Sequence, residues 1–128
     1  MEIIRTIHGE MRWLVAILAI VVIVKFALGL IQKKEYGRMD RGLMSGLVGL
    51  IDLNFLLGLI LLISLGFDSR VRLEHVGTMF IVVLLAHSNA AWRKSEDSAK
   101  LFRNNLILII VILALVFVGV TLLIPSFV

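Results

Sequence analysis

Residues 11–31 read MRWLVAILAIVVIVKFALGLI, with Arg12 and Lys25 the only charges in the run. Crossing the hydrocarbon core of a bilayer takes roughly 20 predominantly apolar residues in a helix. The run is too long for the apolar region of a secretory signal, about 7–15 residues, and it lacks a basic leader and a small-residue cleavage site. It reads as a retained membrane helix. Residues 42–66, 76–92 and 106–124 have the same character. Only short loops and tails remain. The expectation is an all-α integral membrane four-helix bundle, a single transmembrane domain over residues 1–128 with no attached soluble catalytic module.

Composition points the same way. The chain has 128 residues, is 60% hydrophobic and has a mean hydropathy of +1.05. A soluble domain of this size would aggregate through so much apolar surface. Cysteine is absent, which excludes disulfides, thiolate metal sites, iron–sulfur ligation and c-type haem attachment. The net charge of +4 is divided among membrane-flanking loops, so it is no nucleic-acid signal. The loops contain no Gly-rich phosphate motif, and no hydrolase or transferase constellation appears.

Lys and Arg set orientation. Lys25, Lys33, Lys34, Arg38, Arg41, Arg93, Lys94, Lys100 and Arg103 fall on one side, and Arg5, Arg12, Arg70 and Arg72 on the other. The expected topology puts both inner loops in the cytoplasm and both termini on the periplasmic or outer side of a bacterial cytoplasmic (inner) membrane. Lys25 is placed to snorkel to the inner interface. Trp13 and Trp92 fit outer and inner aromatic belts. The fourth helix is apolar all round, with Thr121 its one polar side chain before Pro125. Gly42, Gly46 and Gly49 form a stripe on the second helix, suited to close packing inside the bundle or against another subunit.

His8 and His75 fall at the outer ends of helices 1 and 3. They meet if those helices are neighbours or diagonal. An iron held by both needs ring nitrogens about 4 Å apart, at ~2 Å per bond. Arg5, Arg12, Arg70 and Arg72 supply cations for propionates, Asp68 lies near them, and Glu10 or Glu74 is placed to orient an imidazole. Interfacial polarity alone also accounts for either histidine. His87 lies 12 residues after His75, about 18 Å along an ideal helix and turned by roughly 120°, so one haem cannot use both. Met39 or Met44 as its partner, a quinone carbonyl, and a hydrogen bond between helices are the alternatives. Asp52 falls near mid-membrane, where an ionised aspartate costs roughly 2.5–3.5 kcal/mol. It adjoins Gly49 and Ser45, while Asn54 projects from nearly the opposite side. Asp52 is either an interhelical hydrogen-bonding group or part of a proton relay with His87. Residues 93–103 read as a short charged helical linker whose basic members suit anionic lipid.

The order His8-x3-Arg12-Trp13, Asp40-Arg41, Asp52-x-Asn54-x3-Gly58 and Glu74-His75-x3-Met79-x7-His87 resembles small four-helix bacterial membrane proteins labelled cytochrome b or cytochrome b-like. The resemblance covers nearly the whole chain. Its most specific parts are the His–Arg–Trp opening and the Glu–His…Met…His helix. Those proteins tend to carry glutamine at the position of Asn54 and proline at that of Val76. The resemblance implies a four-helix membrane bundle and b-type haem, with His8, Arg12, Asp52, Glu74, His75 and His87 as the marked positions.

The leading expectation is a b-type cytochrome-like protein. It would hold haem b near the outer face between His8 and His75, with Arg12 at the propionates, and carry electrons from a membrane donor such as a quinol. The alternative is a non-catalytic accessory subunit of a respiratory, photosynthetic or transport complex. A third class, a proton or small-ion transporter using Asp52 and His87, requires oligomerisation to provide alternating access in so short a chain.

Overall fold

The computed structural model describes residues 2–66 and 70–121. It contains four α-helices: α1 (Glu2–Ile31), α2 (Arg38–Leu65), α3 (Arg70–His87) and α4 (Ser98–Thr121), with a 3-10 turn at Ser88–Ala91. Helices α1, α2 and α4 are long and apolar enough to cross a membrane. Helix α3 has 18 residues, and Arg70, Arg72 and Glu74 occupy its start. Each helix begins earlier than the apolar runs in the sequence, because the flanking charged residues extend it beyond the hydrocarbon segment. Helix α3 ends sooner than expected, at His87 instead of Trp92. The expected charged helical linker over residues 93–103 divides into a non-helical connection and the start of α4. Pro125 lies outside the described residues.

The helix ends have local causes. Helix α1 stops at Lys33, whose φ of 55° is left-handed. Lys34 N–H donates to Gly29 O (2.9 Å) and Lys33 N–H to Leu30 O (3.3 Å), the paired bonds of a Schellman stop. Helix α2 starts at Gly37, whose N–H donates to the Asp40 carboxylate (2.8 Å). Helix α4 starts after Asp97, whose carboxylate accepts from Lys100 N–H (3.3 Å), as an N-cap residue does.

Helix α1 packs on α2 and α4, and α3 packs on the same two. The helices therefore run around the bundle in chain order, with α1 diagonal to α3. The core is a stripe from each helix: Val15, Ala19, Val22 and Phe26; Met44, Leu47 and Ile51; Val82 and Ala86; Leu101, Leu108, Ile109 and Ile112. A four-and-three spacing keeps one helix face inward. Gly29 lets α4 come close to α1, since a Cβ there would sit 2.6 Å from Cζ of Phe102. Outward-facing Ile17, Ile20, Val24, Leu56, Ile63, Leu84, Ile110 and Phe117 are exposed. This apolar exterior suits lipid contact.

One end is tied by a polar cluster. Lys25 of α1 pairs with Asp40 of α2. Asp40 is 4% exposed, so one carboxylate holds α1 and also starts α2. The Tyr36 hydroxyl donates to Asp40 O (3.4 Å) and accepts from Asn105 Nδ2 (2.9 Å). Trp92 Nε1 donates to Asn105 Oδ1 (2.8 Å), and Tyr36 N–H to Ser98 Oγ (2.9 Å). Phe26, Tyr36 and Phe102 meet edge to face, with ring centres 5.1–5.5 Å apart, a favoured aromatic geometry. Lys25, expected to snorkel, has a specific partner in Asp40. Trp92, expected in an aromatic belt, is a donor in this network.

Asp40→Ala removes an ion-pair partner and a helix start together. The expected loss is about 1.5–3 kcal/mol, the scale of a hydrogen bond to a charged group, because Lys25 is 38% exposed and keeps its access to solvent when the partner is gone. Lys25→Ala costs more, about 3–5 kcal/mol, because it leaves the buried Asp40 carboxylate without its countercharge. Unfolding in detergent, followed by circular dichroism against denaturant, ranks the two.

Burial pushes the hydroxyl of Tyr36, in the α1–α2 connection, up from 10.0 to about 12 against the lowering effect of Asn105. The folded chain then holds that proton where the unfolded chain has lost it. The stabilisation is complete below about pH 10 and is lost as pH rises toward about 12. Tyr36 is the only tyrosine, so its ultraviolet titration reads this directly. The midpoint should lie near 12 in folded protein and near 10 after unfolding.

Candidate functional site

The diagonal order of α1 and α3 brings His8 and His75 together. Their ring centres are 6.4 Å apart and their planes cross at 87°. His8 Nδ1 lies 3.0 Å from the backbone oxygen of Asn54. A carbonyl only accepts, so Nδ1 carries the proton and the neutral ring keeps its lone pair at Nε2. That is the tautomer a metal-binding imidazole needs. Gly58, one turn on from Asn54 in α2, makes room for the ring, since a Cβ there would sit 2.9 Å from His8 Cε1. Asn54 Oδ1 is buried with no hydrogen-bond partner among the described residues. An acceptor in that state costs about 1–3 kcal/mol, so the site carries one polar atom for which the described chain supplies no donor.

The other expected members lie at the same end but in different roles. Glu74 accepts from Arg70 Nε (3.0 Å) on the exposed surface. It adjoins His75 in sequence, and one residue of helix turns the side chain by about 100°. His8 is oriented by the Asn54 backbone, which takes the place expected of Glu10 or Glu74. Arg12 lies over its neighbour Trp13, 5.2 Å from the ring centre. Arg72 donates to Leu65 O (3.1 Å) at the end of α2. Asp68 lies outside the described residues.

Asp52 and His87 form a second constellation. His87 Nε2 donates to both oxygens of Asp52, at 2.7 and 3.0 Å. Asp52 sits halfway along α2 on the flank toward α3, and the pair spans that seam. Side-chain exposure is 39% for Asp52 and 57% for His87, so the pair opens outward. The contact joins α2 to α3, as the hydrogen-bonding alternative for both residues requires, and it equally puts Asp52 within reach of His87, as the relay alternative requires. Met39 is exposed and Met44 belongs to the core. Asn54 faces α1, opposite in sense to Asp52, as the helical spacing requires.

The glycine stripe resolves outward. Gly42, Gly46 and Gly49 are exposed, and a Cβ at any of them would meet nothing within 4 Å. The close approach between α1 and α4 depends instead on Gly29. The Tyr36–Asp40–Asn105 cluster escaped the sequence reading. Its signal was Asn105, a polar residue just before the apolar run of α4, with Trp92 thirteen residues earlier.

Among the described residues no group of three or more His, Asp or Glu side chains is arranged to hold a metal ion. No protein-family model matches the chain, and neither a curated protein nor a solved structure matches it.

In a double-mutant cycle, Asp52→Ala and His87→Ala should couple by about 0.6 kcal/mol, the mean measured for interhelical hydrogen bonds in membranes, and by no more than about 1.7 kcal/mol, their maximum. Coupling near zero, read from unfolding in bicelles, would show that the pair does not join α2 to α3.

Proposed function

We propose that the protein is a small b-type cytochrome-like electron carrier of a bacterial cytoplasmic membrane. In this reading haem b lies between His8 and His75 toward the outer side, and both termini face outward. The observation that carries the reading is the approach of the two imidazoles across the bundle diagonal. Two ligand nitrogens about 4 Å apart, plus the distance from each to its ring centre, are compatible with the 6.4 Å separation. The Nδ1 bond to Asn54 leaves His8 Nε2 for the metal. Gly58 keeps the ring's position open, and Arg5, Arg12, Arg70 and Arg72 supply positive charge for anionic propionates at this end.

When bound, haem b supplies a one-electron iron couple. The chain's own residues would hold the group through His8 and His75, surround it with apolar helix and offer it the cations of Arg5, Arg12, Arg70 and Arg72. The electron donor is a reduced lipid-soluble carrier such as a quinol. The acceptor is a periplasmic or membrane-complex partner.

A second reading, an accessory subunit of a larger membrane complex, is supported by the outward Gly42–Gly46–Gly49 stripe. Such small-residue faces are used for helix association.

The deciding measurement is a reduced-minus-oxidised absorbance spectrum of protein purified from haem-supplied cells. The expected result is a b-type α-band that is lost in His8→Ala and in His75→Ala. Gly58→Ala, which pushes the His8 ring aside, should lower haem content in a chain that still folds. A flat spectrum from folded wild-type protein overturns the cytochrome reading. Co-migration with larger partners on a native gel would then favour the subunit reading.

A further inference from the structure

The end of the bundle opposite the histidine pair contains a half-open cavity of about 160 Å³. A water molecule's share of liquid is about 30 Å³, so the space admits a group several waters in size. Its wall includes Arg41, Arg93, Ser45, Asn89 and Asn105, over a floor of Met44 and Leu101. Two cationic residues and no carboxylate line it. The buried carboxylate of this end, Asp40, is already engaged by Lys25 and by Gly37 N–H, so its charge is compensated.

Arg41 is held in place before any ligand arrives. Its Nη1 donates to Arg93 O (2.6 Å), and its guanidinium lies over the Tyr36 ring, 5.4 Å from the centre. A guanidinium has five N–H donors in a planar fork that matches a phosphate group. Fixing it beforehand reduces the entropy lost on binding. Ser45 adds a hydroxyl and Asn89 an amide. Asn105 is occupied by Tyr36 and Trp92 and serves as rigid wall. Beside Ser45, the outward surface of α2 is bare backbone at Gly42, Gly46 and Gly49, a smooth track on which an acyl chain can lie.

We propose that this cavity binds a phosphate group, presented in the membrane by the headgroup of an acidic phospholipid. Basic pockets between membrane helices bind such headgroups. The site is independent of haem and lies at the end carrying the larger share of the basic residues.

Native mass spectrometry of the full chain in non-ionic detergent tests this with phosphatidylglycerol, phosphatidylcholine and inorganic phosphate as probes. The expected result is one retained phosphatidylglycerol, preferred over phosphatidylcholine and not displaced by millimolar phosphate. The double variant Arg41→Gln/Arg93→Gln should bind it about tenfold or more weakly, the scale of losing charge-assisted hydrogen bonds. Lys33→Gln/Lys34→Gln removes equal charge outside the cavity and should stay within about twofold of wild type. Asn89→Leu removes the amide and makes the wall apolar, leaves both arginines, and should weaken binding even if the arginine variant fails to fold. Displacement by inorganic phosphate would support the same recognition with free phosphate as its ligand. Equal losses in the cavity and control variants, or no preference for the anionic lipid, would overturn the proposal.

Discussion

The Lys25–Asp40 ion pair is the constraint around which one end of this bundle is arranged. A carboxylate buried this deeply requires a countercharge and hydrogen-bond donors. Lys25 supplies the first from α1, and Gly37 N–H supplies one of the second. The same contacts fix where α2 starts and how it lies on α1. Tyr36 then sits against Asp40, Asn105 against Tyr36, and Trp92 against Asn105. A single buried charge thus connects both inter-helix connections of that end with α4. The Phe26–Tyr36–Phe102 cluster fills the space beneath.

With one end fixed in this way, the other is free to hold chemistry. His8 lies 17 residues before Lys25 on α1, about 25 Å away along the helix. The imidazole pair therefore sits far from the ion pair, and its geometry rests on Asn54 O, Gly58 and the diagonal placement of α1 and α3. Asp52 and His87 occupy intermediate depth on an outward seam. The three constellations are separate in space and can be altered one at a time.

Much of this was legible in the residues. Four apolar runs with short connections allow few arrangements, and the topology brings His8 and His75 to one end without further information. The reach of Asp52 toward His87 was also readable, since few polar groups are deep enough to satisfy an intramembrane carboxylate. The orientation of His8 was not. It depends on a backbone oxygen, and any side chain at position 54 offers the same carbonyl. The polar cluster was hidden for a related reason. Lys25, Tyr36, Asp40, Trp92 and Asn105 each have an ordinary interfacial explanation alone, and only the packing of α1, α2 and α4 brings them into one network. The glycine stripe shows the converse case, a strong pattern whose direction depends on which face of α2 the core residues claim.

The lengths of the helices bear on the surrounding lipid. Helix α1 has 30 residues and α3 only 18, about 45 Å and 27 Å along their axes. The first is longer than a hydrocarbon layer of roughly 30 Å and the second slightly shorter, and α3 is not among the described helices long and apolar enough to cross a membrane. Arg70, Arg72 and Glu74 shorten its apolar part further at the start. The residues that follow His87 are Ser88 and Asn89, so polar side chains bound it at the other end too. The apolar exterior of the bundle is therefore uneven, tall along α1 and short along α3.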